Sequence, residues 1–122
     1  MIMDKELIFS ENEAVKSTVN SKVLDFKEGG DAVGQELTLR TVINKTFAGL
    51  ASLQIKVQTS PDDETWEDVI MTPAIPVAKL TAGREVMCIR TPKGLDRYAR
   101  LAYVVSGTGT AGELTSFMSK EL

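Results

Sequence analysis

Hydrophobic and polar residues alternate along residues 52–59, which read Ser-Leu-Gln-Ile-Lys-Val-Gln-Thr. Because successive side chains of a β-strand point to opposite faces, Leu53, Ile55 and Val57 are expected to share one face. The polar residues between them share the other face. The pattern therefore predicts a strand with one buried side and one solvated side.

Further segments of the chain have the composition of short strands and are separated by turn sequences rich in Gly, Pro, Asn and Asp. Strands at this spacing are typical of an antiparallel β-sandwich or barrel. With one edge strand from the N-terminal residues or from residues 74–77, the count comes to about eight, which fits a jelly roll. The other predicted strands are residues 22–26, 36–43, 66–71, 84–90, 98–105 and 112–118.

The segments between these strands predict where the chain turns. Residues 107–109 contain two glycines, which adopt the positive φ that tight turns require, and are interpreted as a hairpin or corner turn; residues 44–49 are expected to be a turn between two strands. Pro73 and Pro76 cannot donate a ladder hydrogen bond, so the residues between them are expected at a sheet edge. Without a repeat or a linker, residues 21–122 are predicted to form a single all-β domain, an antiparallel jelly-roll-like β-sandwich.

Residues 1–20 are predicted to form an N-terminal arm. Ser10 and Glu13 have the spacing of a helix capping box, but the segment that follows is too short for a helix, so an extended arm is favoured. Two positions remain open for the apolar residues of the arm: against the chain's own sandwich, or docked on a neighbouring subunit. These residues are Ile2, Leu7, Ile8 and Phe9.

Charge and composition narrow the classes of partner. The 122 residues carry a formal charge of −3, with a sequence pI near 5.0. Such a chain lacks the basic surface expected of a nucleic-acid-binding protein and is weakly repelled by anionic membranes. The sequence has neither a secretion signal nor a long apolar run, so synthesis in the cytoplasm is expected, without direct contact to nucleic acid or membrane.

The side chains most used in catalysis are scarce. The chain has no histidine, and its one cysteine, Cys88, lies in the apolar run 86–89, where a buried, inert thiol is expected. We therefore expect no catalytic residue, no cofactor and no enzymatic activity.

An acidic cluster is the one concentration of possible metal ligands. Calcium binds such oxygen ligands, but the spacing of an EF-hand, with its central glycine, is missing. A solvated turn is favoured, followed by Trp66, which is expected to begin the next strand and to pack inward. No metal site is predicted. The acidic residues are Asp62, Asp63, Glu64, Glu67 and Asp68.

The sequence Arg97-Tyr98-Ala99-Arg100 is a candidate contact surface. Alternation places Tyr98 and Arg100 on the same strand face, and arginine and tyrosine are enriched where proteins meet. The alternative for these charges is a surface ion pair with a nearby carboxylate such as Asp96 or Glu85. Both interpretations stay open at this point.

Several passages, taken in their order and spacing, resemble those of a known family. They are residues 4–10, 30–37, 57–60, 73–76, 80–83, 94–101 and 110–115. Over essentially its whole length the chain thereby resembles the small capsid cement proteins of tailed bacteriophages, the family typified by the cement protein of a Bordetella phage.

The resemblance implies a jelly-roll protein of the virion that binds the exterior of the icosahedral head. Its implied partners are the major capsid protein and further copies of itself, with a dimer favoured and a trimer as the alternative. A tail or head–tail connector component and a carbohydrate-binding β-sandwich module are the alternatives. No family motif marks the contact residues. From the sequence itself we expect them to be Ile2, Leu7, Ile8, Phe9, Arg97, Tyr98 and Arg100.

Overall fold

The computed structural model describes residues 8–25, 37–90 and 95–120, and the structural statements below refer to these ranges. They are almost entirely β-strand, with one 3-10 turn at Val77–Lys79. No helix in these ranges has the length and apolar character needed to cross a membrane. The strands are β1 (Ile8–Ala14), β2 (Val19–Asn20), β3 (Leu24–Asp25), β4 (Leu37–Ser60), β5 (Glu67–Met71), β6 (Ile75–Pro76), β7 (Glu85–Arg90) and β8 (Tyr98–Lys120).

Two long strands form the framework. β4 has 24 residues and β8 has 23, and they pair antiparallel along their whole length. A straight strand of this length would extend about 80 Å. Both strands instead bend at a shared corner, where the pairing register shifts repeatedly between residues 43 and 52. Gly49, Gly107 and Gly112 have positive φ there, as expected where bulges and glycines turn a strand.

The corner divides the sheet into two layers. Layer 1 has the order β1, residues 113–120 of β8, residues 37–45 of β4, and β7. Layer 2 has β2 and β3 beside residues 98–106 of β8, then residues 50–60 of β4, then β5 and β6. All of these pairs are antiparallel. Four strand positions in each layer, connected in this order, make a jelly roll, and the prediction of an all-β antiparallel sandwich is confirmed.

The core lies between the two layers. Leu53, Ile55 and Val57 are each at most 1% exposed, while the polar residues that alternate with them are half-buried, so the predicted alternation is confirmed. Layer 1 contributes Leu39 and Ile43 from the other half of the same strand, which are equally buried. Side chains from both halves of β4 therefore meet in one hydrophobic cluster.

The corner is tightly packed. A Cβ atom on Gly112 would lie 2.5 Å from Cγ of Phe47, so the phenyl ring packs directly on the glycine backbone. The N–H of Gly109 donates a 2.7 Å hydrogen bond to the carbonyl of Lys16, which ties the loop between β1 and β2 to the corner. Glycine is required at position 112 by space as well as by φ.

Several strands of the structure begin and end at residues other than the predicted ones. Residues 44–49 and 107–109 were predicted to separate distinct strands, but β4 and β8 run through them without a break. Both segments are corners, which for 107–109 was one of the two predicted alternatives. The predicted strand at 22–26 is represented in the described part of the chain by the two-residue β3. The proline-flanked piece forms β6, which pairs with β4 over two residues, as expected of an edge. Residues 8–14, in the predicted arm, are extended rather than helical and pair with β8.

Candidate functional site

The outer face of layer 2 carries the residues that the sequence marks as a contact surface. Tyr98 and Arg100 are partly exposed on β8, whereas their neighbours Ala99 and Leu101 are fully buried. The predicted division of this strand into two faces is therefore confirmed. Register places Gln58 of β4 opposite Arg100, which brings polar side chains from neighbouring strands together on this face.

Arg100 is held on two sides. Its guanidinium carbon lies 4.2 Å from the centroid of the Trp66 ring, within the range of a cation–π contact. Its Nε donates a 2.8 Å hydrogen bond to Oε1 of Gln58. Arginine suits this position because its planar guanidinium can stack on a ring and donate hydrogen bonds in its own plane at the same time.

The contacts continue from Gln58 to the edge of the layer. Nε2 of Gln58 donates a 2.8 Å hydrogen bond to Oδ1 of Asp68, whose Oδ2 lies 3.6 Å from Nζ of Lys56. Because Arg100 can only donate and an ionised Asp68 can only accept, the orientation of the Gln58 amide between them is determined. We call Trp66, Arg100, Gln58, Asp68 and Lys56 the Arg100 network.

Arg97 forms a separate ion pair beside this network. Its Nε and Nη2 donate hydrogen bonds of 2.8 and 3.0 Å to the two carboxylate oxygens of Asp25 on β3. The hydrogen bonding to Asp25, and then the negative charge of Asp25, raise the pKa of the Arg97 guanidinium, whose carbon lies 4.9 Å from the Tyr98 ring centroid. Arg97 thus has a carboxylate partner, as one alternative proposed, but the partner is Asp25 rather than Asp96 or Glu85.

The described part of the predicted arm packs into the chain's own sandwich. Phe9 is 1% exposed and belongs to the core cluster, and Ile8 is 8% exposed in β1. Ile2 and Leu7 lie outside the described residues. Contact between these arm residues and another protein stays a prediction, and removing Phe9 to test it would also open a cavity in the core.

Two side-chain positions predicted from local sequence are wrong. Trp66 was expected to pack inward, but it lies on the outer face against Arg100, a partner that local sequence does not reveal. Cys88 was expected to be buried, but it is exposed. Strand alternation buries Met87 and turns Cys88 outward opposite Arg40, although the apolar composition of the run obscures this pattern.

The acidic turn uses its first carboxylate to organise the turn itself. Oδ1 of Asp62 accepts hydrogen bonds of 2.9 Å from the backbone N–H groups of Glu64 and Thr65 and from the hydroxyl of Ser60. These bonds, first that from Thr65, hold the pKa of Asp62 below its ordinary value. Within the described ranges, no three Asp, Glu, Cys or His residues are grouped so as to hold a metal ion.

A small apolar cleft opens between β5 and β7, at the edge where the two layers separate. Its volume is about 170 Å³. Ile70 and Met71 at its rim are 40% and 48% exposed. The cleft suits an apolar side chain of a protein partner better than a polar small molecule. Its lining consists of Ile55, Val57, Ile70, Met71, Thr72, Pro73, Met87 and Ile89.

Sequence reasoning missed four members of the Arg100 network as site residues: Trp66, Gln58, Asp68 and Lys56. Alternation places Gln58 on the polar face of its strand, and this is the sequence feature that could have identified it as a candidate site residue. Which residues it meets there depends on the register between β4 and its two neighbours, which only the structure supplies.

The family model Bbp16 matches residues 9–118, a span that runs from β1 to within two residues of the end of β8. No curated protein matches the chain.

Proposed function

Because the chain belongs to the Bbp16 family, a family of Bordetella phage proteins, we propose that it is a capsid cement protein. The chain is a phage structural protein and a component of the virion. In the proposed role it binds the outer surface of the icosahedral head and stabilises contacts between major capsid proteins. The observation that carries the proposal is the family match across almost the whole chain.

Two further observations support the proposal. The sequence resembles phage cement proteins in passages spread over its full length, and the jelly-roll strand order agrees with the fold which that resemblance implies. The outer face of layer 2 combines arginine with aromatic residues, a composition enriched at protein interfaces. We assign the contact with the major capsid protein to this face, through Arg97, Tyr98 and Arg100.

The proposed mechanism is thermodynamic and involves no covalent chemistry. A protein that binds the assembled shell more tightly than its free subunits stabilises the shell by mass action. Each copy that spans a boundary between capsid proteins adds a contact that must break before the shell opens. Many modest contacts of this kind oppose the outward pressure of packaged DNA. The proposal includes no catalytic activity, in line with the absence of histidine from the sequence.

Self-association is part of the proposal. A dimer, favoured over a trimer, engages two capsid sites at once, and the second contact gains from the high effective concentration set by the first. Light scattering on the purified protein measures this state directly. The proposed place of action is the capsid exterior, after synthesis in the bacterial cytoplasm, without direct binding to nucleic acid or membrane.

The aromatic residues bear on the carbohydrate-binding alternative. Sugar-binding sandwiches present exposed aromatic rings for stacking, and Trp66, Tyr98 and Tyr103 are the candidates here. Tyr103 is fully buried, and one face each of Trp66 and Tyr98 is covered by an arginine. These contacts favour a protein partner over a sugar.

Sedimentation with heads tests the proposed function. Heads of the phage that encodes this chain, assembled without the protein and emptied of DNA, are mixed with purified protein and pelleted. The protein is expected to pellet with the heads until its sites are filled, and heads that already carry the protein should bind no more. Protein that stays in the supernatant at every concentration would refute the proposal.

A further inference from the structure

Arg100 has hydrogen-bond donors that its own chain does not use. A guanidinium group carries five N–H donors, one on Nε and two on each terminal nitrogen. The Nε donor is taken by Gln58. Among the described residues, neither terminal nitrogen of Arg100 has a hydrogen-bond or ion-pair partner. The two terminal nitrogens, which together can donate two parallel hydrogen bonds to a carboxylate, are thus available.

The carboxylates of the same face are engaged elsewhere. Asp68 accepts from Gln58 and lies beside Lys56, and Asp25 forms two hydrogen bonds with Arg97. Within the described ranges, Arg100 is therefore a cation without a carboxylate partner, in a face where Arg97 and Lys56 each have one. A partner that places a negative charge beside Arg100 would pair this cation as Arg97 and Lys56 are paired.

The orientation of the Arg100 guanidinium is also fixed before any partner binds. Stacking on Trp66 and the hydrogen bond to Gln58 hold its plane, and Asp68 in turn orients Gln58. A side chain that is already ordered loses less conformational freedom when it binds than a free arginine does. Arginine is also among the residue types that are enriched at the energetic hot spots of protein interfaces.

We propose that Arg100 is the anchor that binds an aspartate or glutamate carboxylate of the major capsid protein, through two parallel hydrogen bonds from its terminal nitrogens. The inference rests on the proposed function and adds the chemistry of the contact. A carboxylate fits the fork in the plane of the guanidinium. A nucleic-acid phosphate is disfavoured as the ligand because the protein carries a net charge of −3.

Substitutions at position 100 test the inference by sedimentation titration with the same undecorated heads. Arg100→Ala is expected to weaken binding about 30-fold, the loss typical of a hot-spot residue. Arg100→Lys keeps the charge but not the fork, and should lose most of the same affinity. Arg90→Ala is the matched control because Arg90 is an exposed arginine on β7 in layer 1, and it should change affinity less than about two-fold.

The outcomes separate the two proposals. If the wild-type protein does not bind heads, the proposed function fails, and this inference fails with it. If the wild type binds and the Arg100 variants bind equally well, the proposed function stands and the inference is overturned. Thermal unfolding of each variant confirms that it is folded, and if Arg100→Ala is unfolded, Arg100→Lys decides. Equal losses in Arg100→Ala and Arg90→Ala would also overturn the inference.

Discussion

Tyr103 donates a 2.9 Å hydrogen bond to Oγ of Ser116, although 13 positions of the same strand separate the two residues. In a straight strand they would lie about 43 Å apart. The bond is possible because β8 folds back at its corner, so that Tyr103 in layer 2 faces Ser116 in layer 1. The Tyr103 oxygen also shares a 2.9 Å hydrogen bond with Ser10, and Ser116 shares one with Thr41. This buried hydroxyl network joins the two layers.

Removing the Tyr103 hydroxyl should destabilise the fold without changing its shape. We expect Tyr103→Phe to lower the free energy of unfolding by about 1–3 kcal/mol, because Ser10 and Ser116 lose a buried partner. Urea unfolding measures the change. Tyr98→Phe is the control, since the Tyr98 side chain lies on the outer face, and it should cost less than about 0.5 kcal/mol. Equal stability of the two variants would contradict the role assigned to the network.

The same residue predicts a dependence of stability on alkaline pH. Burial raises the pKa of Tyr103 to about 12, above its ordinary value of 10.0. Between these values the unfolded chain releases the proton and the folded chain keeps it, so stability falls as pH rises. The stability that wild type has over Tyr103→Phe should be constant below pH 10 and then shrink by up to about 1.4 kcal/mol per pH unit. A difference that does not change between pH 9 and pH 11 would contradict this prediction.

The packing of Phe47 on Gly112 predicts that substituting this glycine costs more than substituting Gly83, which lies in the turn before β7. Gly83 has a φ of +86° with no atom within 4 Å of an added Cβ, so Gly83→Ala should cost about 1 kcal/mol of backbone strain. In Gly112→Ala the new Cβ would also meet Phe47 at 2.5 Å, and we expect a cost of about 3 kcal/mol or more. Thermal or urea unfolding compares the variants. Similar costs at the two positions would mean that Phe47 does not pack on Gly112.

The arm hypothesis is best tested by a deletion that ends before β1. Removing residues 1–7 takes away Ile2 and Leu7 but keeps Phe9, whose loss from the core would cost about 3–5 kcal/mol on its own. If the arm docks on a neighbouring protein, the deletion should abolish sedimentation with heads while the variant still unfolds cooperatively. Binding at wild-type strength would exclude Ile2 and Leu7 as contacts.

Much of the fold could be predicted because β-strands repeat every two residues. Alternation predicts one shared face for Leu53, Ile55 and Val57, which form part of the core, and one shared face for Tyr98 and Arg100, which lie on the outside. Turn residues marked where the chain changes direction. They did not reveal whether a strand ends or bends, because glycine and bulges occur in both situations.

The contacts between strands could not be predicted, because they depend on register. The Arg100 network joins three strands, and a shift by one residue would turn Gln58 away from Arg100. Trp66 and Cys88 were misplaced because their hydrophobic character suggested burial. Cys88 is turned outward by its position in β7, and Trp66, just before β5, packs against Arg100 on the outer face. Composition predicts which residues prefer the core, and pairing decides which of them reach it.

The number of copies in each virion tests the cement role most directly. Quantitative mass spectrometry of purified virions, with the major capsid protein as the internal reference, gives this number. A protein that covers the outside of an icosahedral head should be present in hundreds of copies, in a fixed ratio to the capsid protein. A dozen copies or fewer would contradict the account and indicate a tail or head–tail connector component instead.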